Sequence, residues 1–343
     1  MSLTVLSIAY PFARVSRDSI GGAEQVLSML DEALVAAGHR SLVIACAGSE
    51  CSGELVPLPI GDDADLTAFE TWHEQHEACR AAVRRILRRE RVDVVHAHGT
   101  DFDAYTQDLP VPLLATIHLA PSFYAPRVFA HSGRFVAVFV SETQRRLAGA
   151  PPCRSVVIPN GIRLERFSFS TRKDDEAVAL GRISPEKGFH LALDACSASD
   201  TALKLAGKVF PYREHLVYFE REIQPRLDRK RRFVGPAIGS ARAELLASAK
   251  CLIVSSTIPE TSSLVAMESA ASGTPVVAVA LGALPEIVRH GLTGLIVDDP
   301  SELPEAIRRA DEISPFDCRE VAEREFSATK MCARYLSLFE SLC

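Results

Sequence analysis

Glu260-Thr261-Ser262-Ser263-Leu264-Val265-Ala266-Met267-Glu268 sets two carboxylates eight residues apart, the first in a loop and the second inside an apolar, helix-forming run. Ser263 has N-cap chemistry, so the spacing predicts a helix starting there. The unpaired backbone N–H groups and positive dipole end of such a helix would face an anion such as a diphosphate. Glu268, about a turn and a half further in, would accept from a ribose diol, and Glu260 at the loop edge from sugar hydroxyls. The same stretch also reads as a capped helix carrying two solvated acids.

Upstream lies Gly181-Arg182-Ile183-Ser184-Pro185-Glu186-Lys187-Gly188, after an apolar run at 177–180 and before a helical pattern. Arg182 and Lys187 would flank the same diphosphate. With these two stretches the chain resembles the retaining family 4 (group 1) glycosyltransferases of the GT-B fold, in which a Gly-Arg to Lys-Gly loop and a Glu-x7-Glu helix hold a sugar nucleotide. The resemblance continues in order through Gly21-Gly22-Ala23-Glu24, Asp93-Val94-Val95-His96-Ala97-His98-Gly99, Thr116-Ile117-His118 and Ile158-Pro159-Asn160-Gly161. It ends in Ala271-Ser272-Gly273-Thr274-Pro275-Val276-Val277-Ala278 and Gly291-Leu292-Thr293-Gly294-Leu295.

The resemblance implies an α/β architecture of two Rossmann-like, doubly wound parallel-sheet domains facing across a cleft. An acceptor-side domain would span 1–165, a nucleotide-sugar-binding domain 166–325, and a final helix at 326–343 would cross back. The implied activity moves a sugar from a nucleoside-diphosphate donor, UDP-sugar first and GDP- or ADP-sugar as alternatives, to a hydroxyl acceptor. It proceeds with retention, without metal and without a cofactor. His118, Glu260, Arg182 and Lys187 would act at the reacting centre. Gly21, Gly22, Thr261, Ser262, Ser263, Leu264 and Glu268 would complete the donor site, with Glu24, His98, Asp101 and Asp103 on the acceptor side.

Breaking a sugar–phosphate bond builds charge on the departing phosphate, and two cations neutralise it without metal, each charge-assisted contact contributing roughly 1.5–3 kcal/mol. Two departures from the family pattern stand out. After Glu260 the usual Gly-Phe-Gly-Leu is Thr261-Ser262-Ser263-Leu264, which removes an aromatic and two glycines. The segment Ala206-Gly207-Lys208-Val209-Phe210-Pro211-Tyr212 is bulkier than the common Gly-x-Gly loop, and a long helix is expected at 213–227.

The 343 residues leave room for two domains, and 47% apolar content with mean hydropathy near zero fits a globular chain. A net charge of −6 excludes an overall basic nucleic-acid binder. The nine cysteines are scattered without a C-x-x-C, as buried thiols of a cytoplasmic protein would be. No apolar stretch reaches membrane-span length. Strands are expected at 4–9, 41–45, 92–96, 113–117, 135–140 and 154–158, then at 177–180, 203–206, 232–234, 252–254, 276–279 and 295–297. Helices are expected at 23–37 and 330–342. An Arg-rich helix at 74–91 reads as a solvated face with Val83, Ile86 and Leu87 inward, or as a peripheral contact with anionic lipid.

Two short motifs point to other chemistries. Asp101-Phe102-Asp103 has the D-x-D form of a metal-held diphosphate site, but its position after His98 suits solvent or acceptor contact better. His96-Ala97-His98 mimics paired metal ligands, and here closes a strand with His98 at the cleft rim. A GT-B nucleotide-sugar epimerase and a non-catalytic nucleotide-sugar-binding relative remain alternatives.

Overall fold

The computed structural model describes residues 2–59, 69–130, 133–149, 151 and 153–343, and the chain divides into two compact units, Met1–Asn160 with Thr329–Cys343, and Gly161–Ala328. In the first unit seven strands run parallel: β1 (Thr4–Ile8), β2 (Arg40–Cys46), β3 (Glu54–Leu58), β4 (Val94–Ala97), β5 (Leu113–Ile117), β6 (Phe135–Phe139) and β7 (Arg154–Val157). Their order is β3-β2-β1-β4-β5-β6-β7. Every residue of β4, β5 and β6 is buried, as a sheet covered on both faces requires.

Alternation along the strands decides which helix covers which face. Leu6, Ile8, Leu42 and Ile44 pack with Cys79, Ala82 and Val83 of the helix Phe69–Arg89. Val43 and Ala45 pack instead with Leu27 of the helix Gly22–Ala36. In the Arg-rich helix Val83 is buried and Ile86 and Leu87 pack on the core, while Arg84, Arg85, Arg88 and Arg89 are exposed.

The second unit repeats the plan with β8 (Glu176–Leu180), β9 (Ala202–Ala206), β10 (Arg231–Gly235), β11 (Leu252–Val254), β12 (Val276–Val279) and β13 (Gly294–Val297), in the order β10-β9-β8-β11-β12-β13. In each sheet the winding reverses once, between β1 and β4 and between β8 and β11. Ligands of open α/β sheets bind outside the carboxyl ends of strands at such reversals. The topology therefore brings the loop after β8 beside the loop after β11, although more than sixty residues separate them in sequence.

Two differences from the sequence reading have physical causes. β3 was not expected; it is a half-exposed edge strand containing Pro57, which a central strand would not tolerate. The single helix expected at 213–227 is instead an α-helix Arg213–Tyr218, a π-turn Phe219–Ile223 and a 3-10 turn Gln224–Arg226. Pro225 lacks the N–H for an α-helical bond and crowds the carbonyl four residues back, and the wider π-turn absorbs the conflict. The last helix is Ala328–Glu340, where Tyr335 Oη lies 3.0 Å from Thr116 Oγ1.

All nine cysteines are free thiols; Cys51 is half-buried, Cys343 is exposed and the others are buried. Burial pushes the Cys46 thiol up to about 11 and those of Cys196 and Cys318 to about 12. No described helix is long and apolar enough to cross a membrane.

Candidate functional site

In the second unit the strand β8 ends at Leu180 and the chain turns through Arg182 into a short 3-10 turn, Pro185–Lys187. Gly188 follows with φ +60°, and a Cβ there would lie 2.1 Å from the carbonyl oxygen of Ser255, so only glycine fits. The closeness lets the two loops be stitched together. Thr257 N donates to Glu186 O at 2.9 Å, and Ser255 Oγ donates to Gly188 O at 2.9 Å.

Both expected cations face acids. Arg182 Nη2 donates to Glu186 Oε1 at 2.9 Å, and Lys187 Nζ donates to Glu260 Oε1 at 2.6 Å. Ser256 Oγ donates to that same oxygen of Glu260. Arg182 keeps 45% and Lys187 30% of their side-chain exposure, so neither pair is sealed from an arriving ligand. For Glu186, burial works against ionisation. Its own backbone amide, Ser184, Arg182 and His215 outweigh that and hold the carboxyl below its usual value.

The main chain of Glu260 is fixed by Gly282, which bridges it at φ +65° where a Cβ would meet the Glu260 oxygen at 2.1 Å. Ala283 N donates to that oxygen at 2.7 Å. Thr261 and Ser262 follow half-buried, and Ser262 Oγ is buried with no protein partner. Ser263 caps the helix Leu264–Ala271, accepting from Ala266 N at 3.4 Å.

Glu268 sits inside that helix, buried, and Arg242 Nη2 donates to its Oε2. Burial holds this carboxyl above its usual value, and the attraction of Arg242 and then Arg166 offsets only part of that rise. Sequence reasoning missed Arg242. The only signal available was indirect, since a carboxylate buried in an apolar helix demands a cation from another element.

In the first unit the expected residues sit at the carboxyl ends of β4 and β5. His118 directly follows β5; its backbone N–H donates to Tyr124 Oη at 2.9 Å. Gln144 pins the same turn by donating to the carbonyls of Ile117 at 2.6 Å and Leu119 at 2.8 Å. His98 Nδ1 lies 3.0 Å from His118 Nε2, with the rings stacked 5.2 Å apart. His96 Nε2 meets Thr116 Oγ1 at 2.8 Å. Burial lowers His96 and His118 to about 3 and His98 well below its usual value, so all three are neutral near pH 7. His98 was expected at a rim; it is buried beneath His118 and acts on its ring rather than on solvent.

Asp101 and Asp103, expected on the acceptor side, each have protein partners. His76 Nε2 lies 2.5 Å from Asp101, which also accepts from Tyr105 Oη at 3.2 Å, whereas Asp103 accepts from Arg127 Nε at 2.7 Å. The two carboxylates therefore serve separate protein partners. Among the described residues no group of three or more His, Cys, Asp or Glu is arranged to hold a metal ion. Gly21 is the extended N-cap of Gly22–Ala36. Glu24, in the first turn, folds back over Gly21, leaving 1.9 Å between its Oε2 and a Cβ built there. It stands where an acid complements the helix dipole.

Comparison with known proteins covers most of the chain. Residues 174–311 match the family described as "Glycosyl transferases group 1", and residues 20–166 match "Glycosyltransferase Family 4". A D-inositol 3-phosphate glycosyltransferase of Geodermatophilus obscurus is 32% identical over 53% of this chain and 46% of its own length, so the match spans about half of that relative. A glycogen synthase of Mycobacterium tuberculosis is 27% identical over 88% of this chain and 89% of its own. A phosphatidyl-myo-inositol mannosyltransferase of the same organism is 25% identical over 93% and 90%.

Among solved structures, a sucrose-phosphate synthase from Thermosynechococcus elongatus superposes with TM-score 0.83 at 21% identity over 99% of both chains. Anabaena Alr3699/HepE in complex with UDP-glucose gives TM-score 0.76 at 18% identity, over 99% of this chain and 100% of that one. At these identities the likeness speaks for the fold.

Proposed function

We infer the reaction from what the family matches supply as a premise: this chain belongs to the group 1, family 4-like glycosyltransferases, an enzyme of glycosyl transfer with the GT-B fold. The proposed reaction moves a sugar from a nucleoside-diphosphate donor, UDP-sugar first, to a hydroxyl acceptor, with retained anomeric configuration and no metal. The observation that carries it is the convergence of the Arg182–Lys187 loop and the Glu260–Glu268 segment at one end of one sheet, bonded to each other through Lys187 and Glu260.

A diphosphate entering this end exchanges for Glu186 on Arg182 and for Glu260 on Lys187. Exchange of one anion for another keeps both cations compensated, so the cost is small compared with that of stripping a charge bare. The two cations then neutralise the charge that grows on the departing phosphate. Glu260, its carboxylate still held by Ser256, turns to the sugar hydroxyls, and Glu268 accepts from the ribose. His118, neutral, orients the sugar through hydrogen bonding as the anomeric carbon gains positive character. The departing phosphate oxygen takes the acceptor proton as the new glycosidic bond forms on the same face.

UDP is favoured because Alr3699/HepE was solved with UDP and with UDP-glucose. The inositol-directed relatives favour a polyol hydroxyl as acceptor, and the glycogen synthase a glucan hydroxyl. The test is a thermal-shift screen with UDP, GDP and ADP, followed by product analysis with the matching donors. A true donor nucleotide at a hundred times its Kd adds about 2.7 kcal/mol, and turnover releases free nucleoside diphosphate with an α-linked product from an α-donor. An epimerised donor, an inverted product, or no stabilisation by any of the three nucleotides would sink the reading.

A further inference from the structure

Glu268 is 2% exposed, and the cation it needs comes from a different helix, Gly239–Ser248. The Arg242 side chain is itself only 15% exposed. Its Nη2 serves Glu268 Oε2, yet its Nε is buried with no protein partner. Ser262 Oγ, on the turn leading into the Glu268 helix, is likewise buried without a partner. A buried ion pair kept for stability alone is a poor stabiliser, since desolvation offsets most of its attraction. A pair with unused donors beside it is better explained by what it presents.

We propose that Arg242 is a positioning residue for nucleoside recognition: it fixes the plane and the ionised state of Glu268, so that this carboxylate accepts from the donor's ribose hydroxyls. The inference rests on the reading of Glu268 as the ribose contact. A carboxyl buried without a countercharge takes a proton and turns one acceptor into a donor, which a ribose diol matches less well. The fork of a guanidinium orients a carboxylate plane in a way that a point charge does not.

The surroundings leave this task to Arg242. β11 and β12, which pack against the Glu268 helix, carry no charged residue. Arg319, from the helix Pro315–Glu325, spends its Nη1 on the carbonyls of Phe167 and Ala271. Arg166, from the 3-10 turn Leu164–Arg166, contributes a weaker attraction than Arg242.

The test is calorimetric titration with UDP, or with whichever of GDP and ADP binds in its place, at pH 8 and pH 6. The proteins compared are the wild type, Glu268→Gln, Arg242→Lys, Arg242→Met and the double variant Arg242→Met/Glu268→Gln. Arg242→Met is expected to weaken binding about tenfold at pH 8, the scale of one hydrogen bond to a charged group, and further at pH 6, where the unsupported carboxyl protonates. Arg242→Lys should restore part of the loss. In the Glu268→Gln background Arg242→Met should add nothing, because its effect passes through the carboxylate.

Should Arg242→Met not fold, Arg242→Gln, which keeps a donor on Glu268 but drops the charge, carries the same comparison. Wild-type affinity in folded Arg242→Met or Arg242→Gln, or an equal loss with and without Glu268, overturns the role of Arg242 alone. Full affinity in Glu268→Gln overturns the ribose reading beneath it.

Discussion

At the carboxyl ends of β4 and β5 the first unit gathers His96, His98 and His118, all neutral, whereas around the carboxyl ends of β8 and β11 the second gathers Arg182, Lys187 and Arg242, each facing an acid. The two sheets share one winding and one kind of reversal point, so topology does not set the difference; desolvation does. Imidazoles packed with ring centres 4.1 and 5.2 Å apart lose their charge and keep only direction. The Arg182 and Lys187 pairs, with partly exposed cations, can exchange partners, whereas the Arg242 pair is buried. Groups that hold direction suit orienting a reacting sugar, and groups that hold charge suit gripping a diphosphate.

The largest effect that would break this contrast is acid instability. His96 and His118 titrate near 3 in the folded unit and near 6.5 when unfolded. Between those values the unfolded chain binds protons that the folded one refuses. Stability is therefore full above pH 6.5 and falls as pH drops towards 3, by roughly 1.4 kcal/mol per histidine per pH unit. Hydrogen exchange between pH 7 and 4.5, corrected for intrinsic rates, should show β4 and β5 losing protection before β8 and β11. Equal loss in both units would remove the contrast.

Next in size is His118→Ala, expected to lower kcat about a hundredfold while leaving donor KM near wild type, since positioning acts on the transition state. A variant that folds and keeps wild-type kcat would make His118 purely structural. Lys187→Ala should weaken nucleotide binding tenfold to hundredfold, roughly 1.5–3 kcal/mol, with a shallower salt dependence than the wild type. Unchanged calorimetric affinity would take Lys187 out of the phosphate contact. The smallest expected effect is none at all: EDTA should leave the rate unchanged, and loss restored by manganese or magnesium would contradict the two-cation scheme.

Legibility followed burial and locality. β5, β11 and β12 could be read to the residue because apolar runs between turns mark buried parallel strands. β3, half-exposed and holding Pro57, carried no such mark. Arg182, Lys187, Glu260 and Glu268 were legible because each motif is local, and the Ser263 cap because capping is local chemistry. Arg242, Ser256, Tyr124 and Gln144 were not, since each reaches its partner through side-chain geometry that no spacing encodes. Asp101 and Asp103 hid their partners for the same reason. Their D-x-D spacing is local, but their partners, His76 and Arg127, come from elsewhere.

The free cysteines give the chain a property useful at the bench. Thiolates are the reactive form, and burial raises the thiol pKa of Cys46, Cys196 and Cys318 far above neutral. Only Cys343 is exposed, so access rather than acidity sets it apart, its own thiol being raised by partial burial and by Asp93; Cys51 is half-covered and pushed up to about 12. A maleimide dye offered briefly at mildly alkaline pH should therefore attach at one position, on the last residue of the helix-bearing segment that returns to the first sheet. Cys51→Ser would make that attachment cleaner. A second cysteine placed on an exposed position of the other unit would then turn the natural chain into a two-colour ruler for watching how the halves respond to nucleotide.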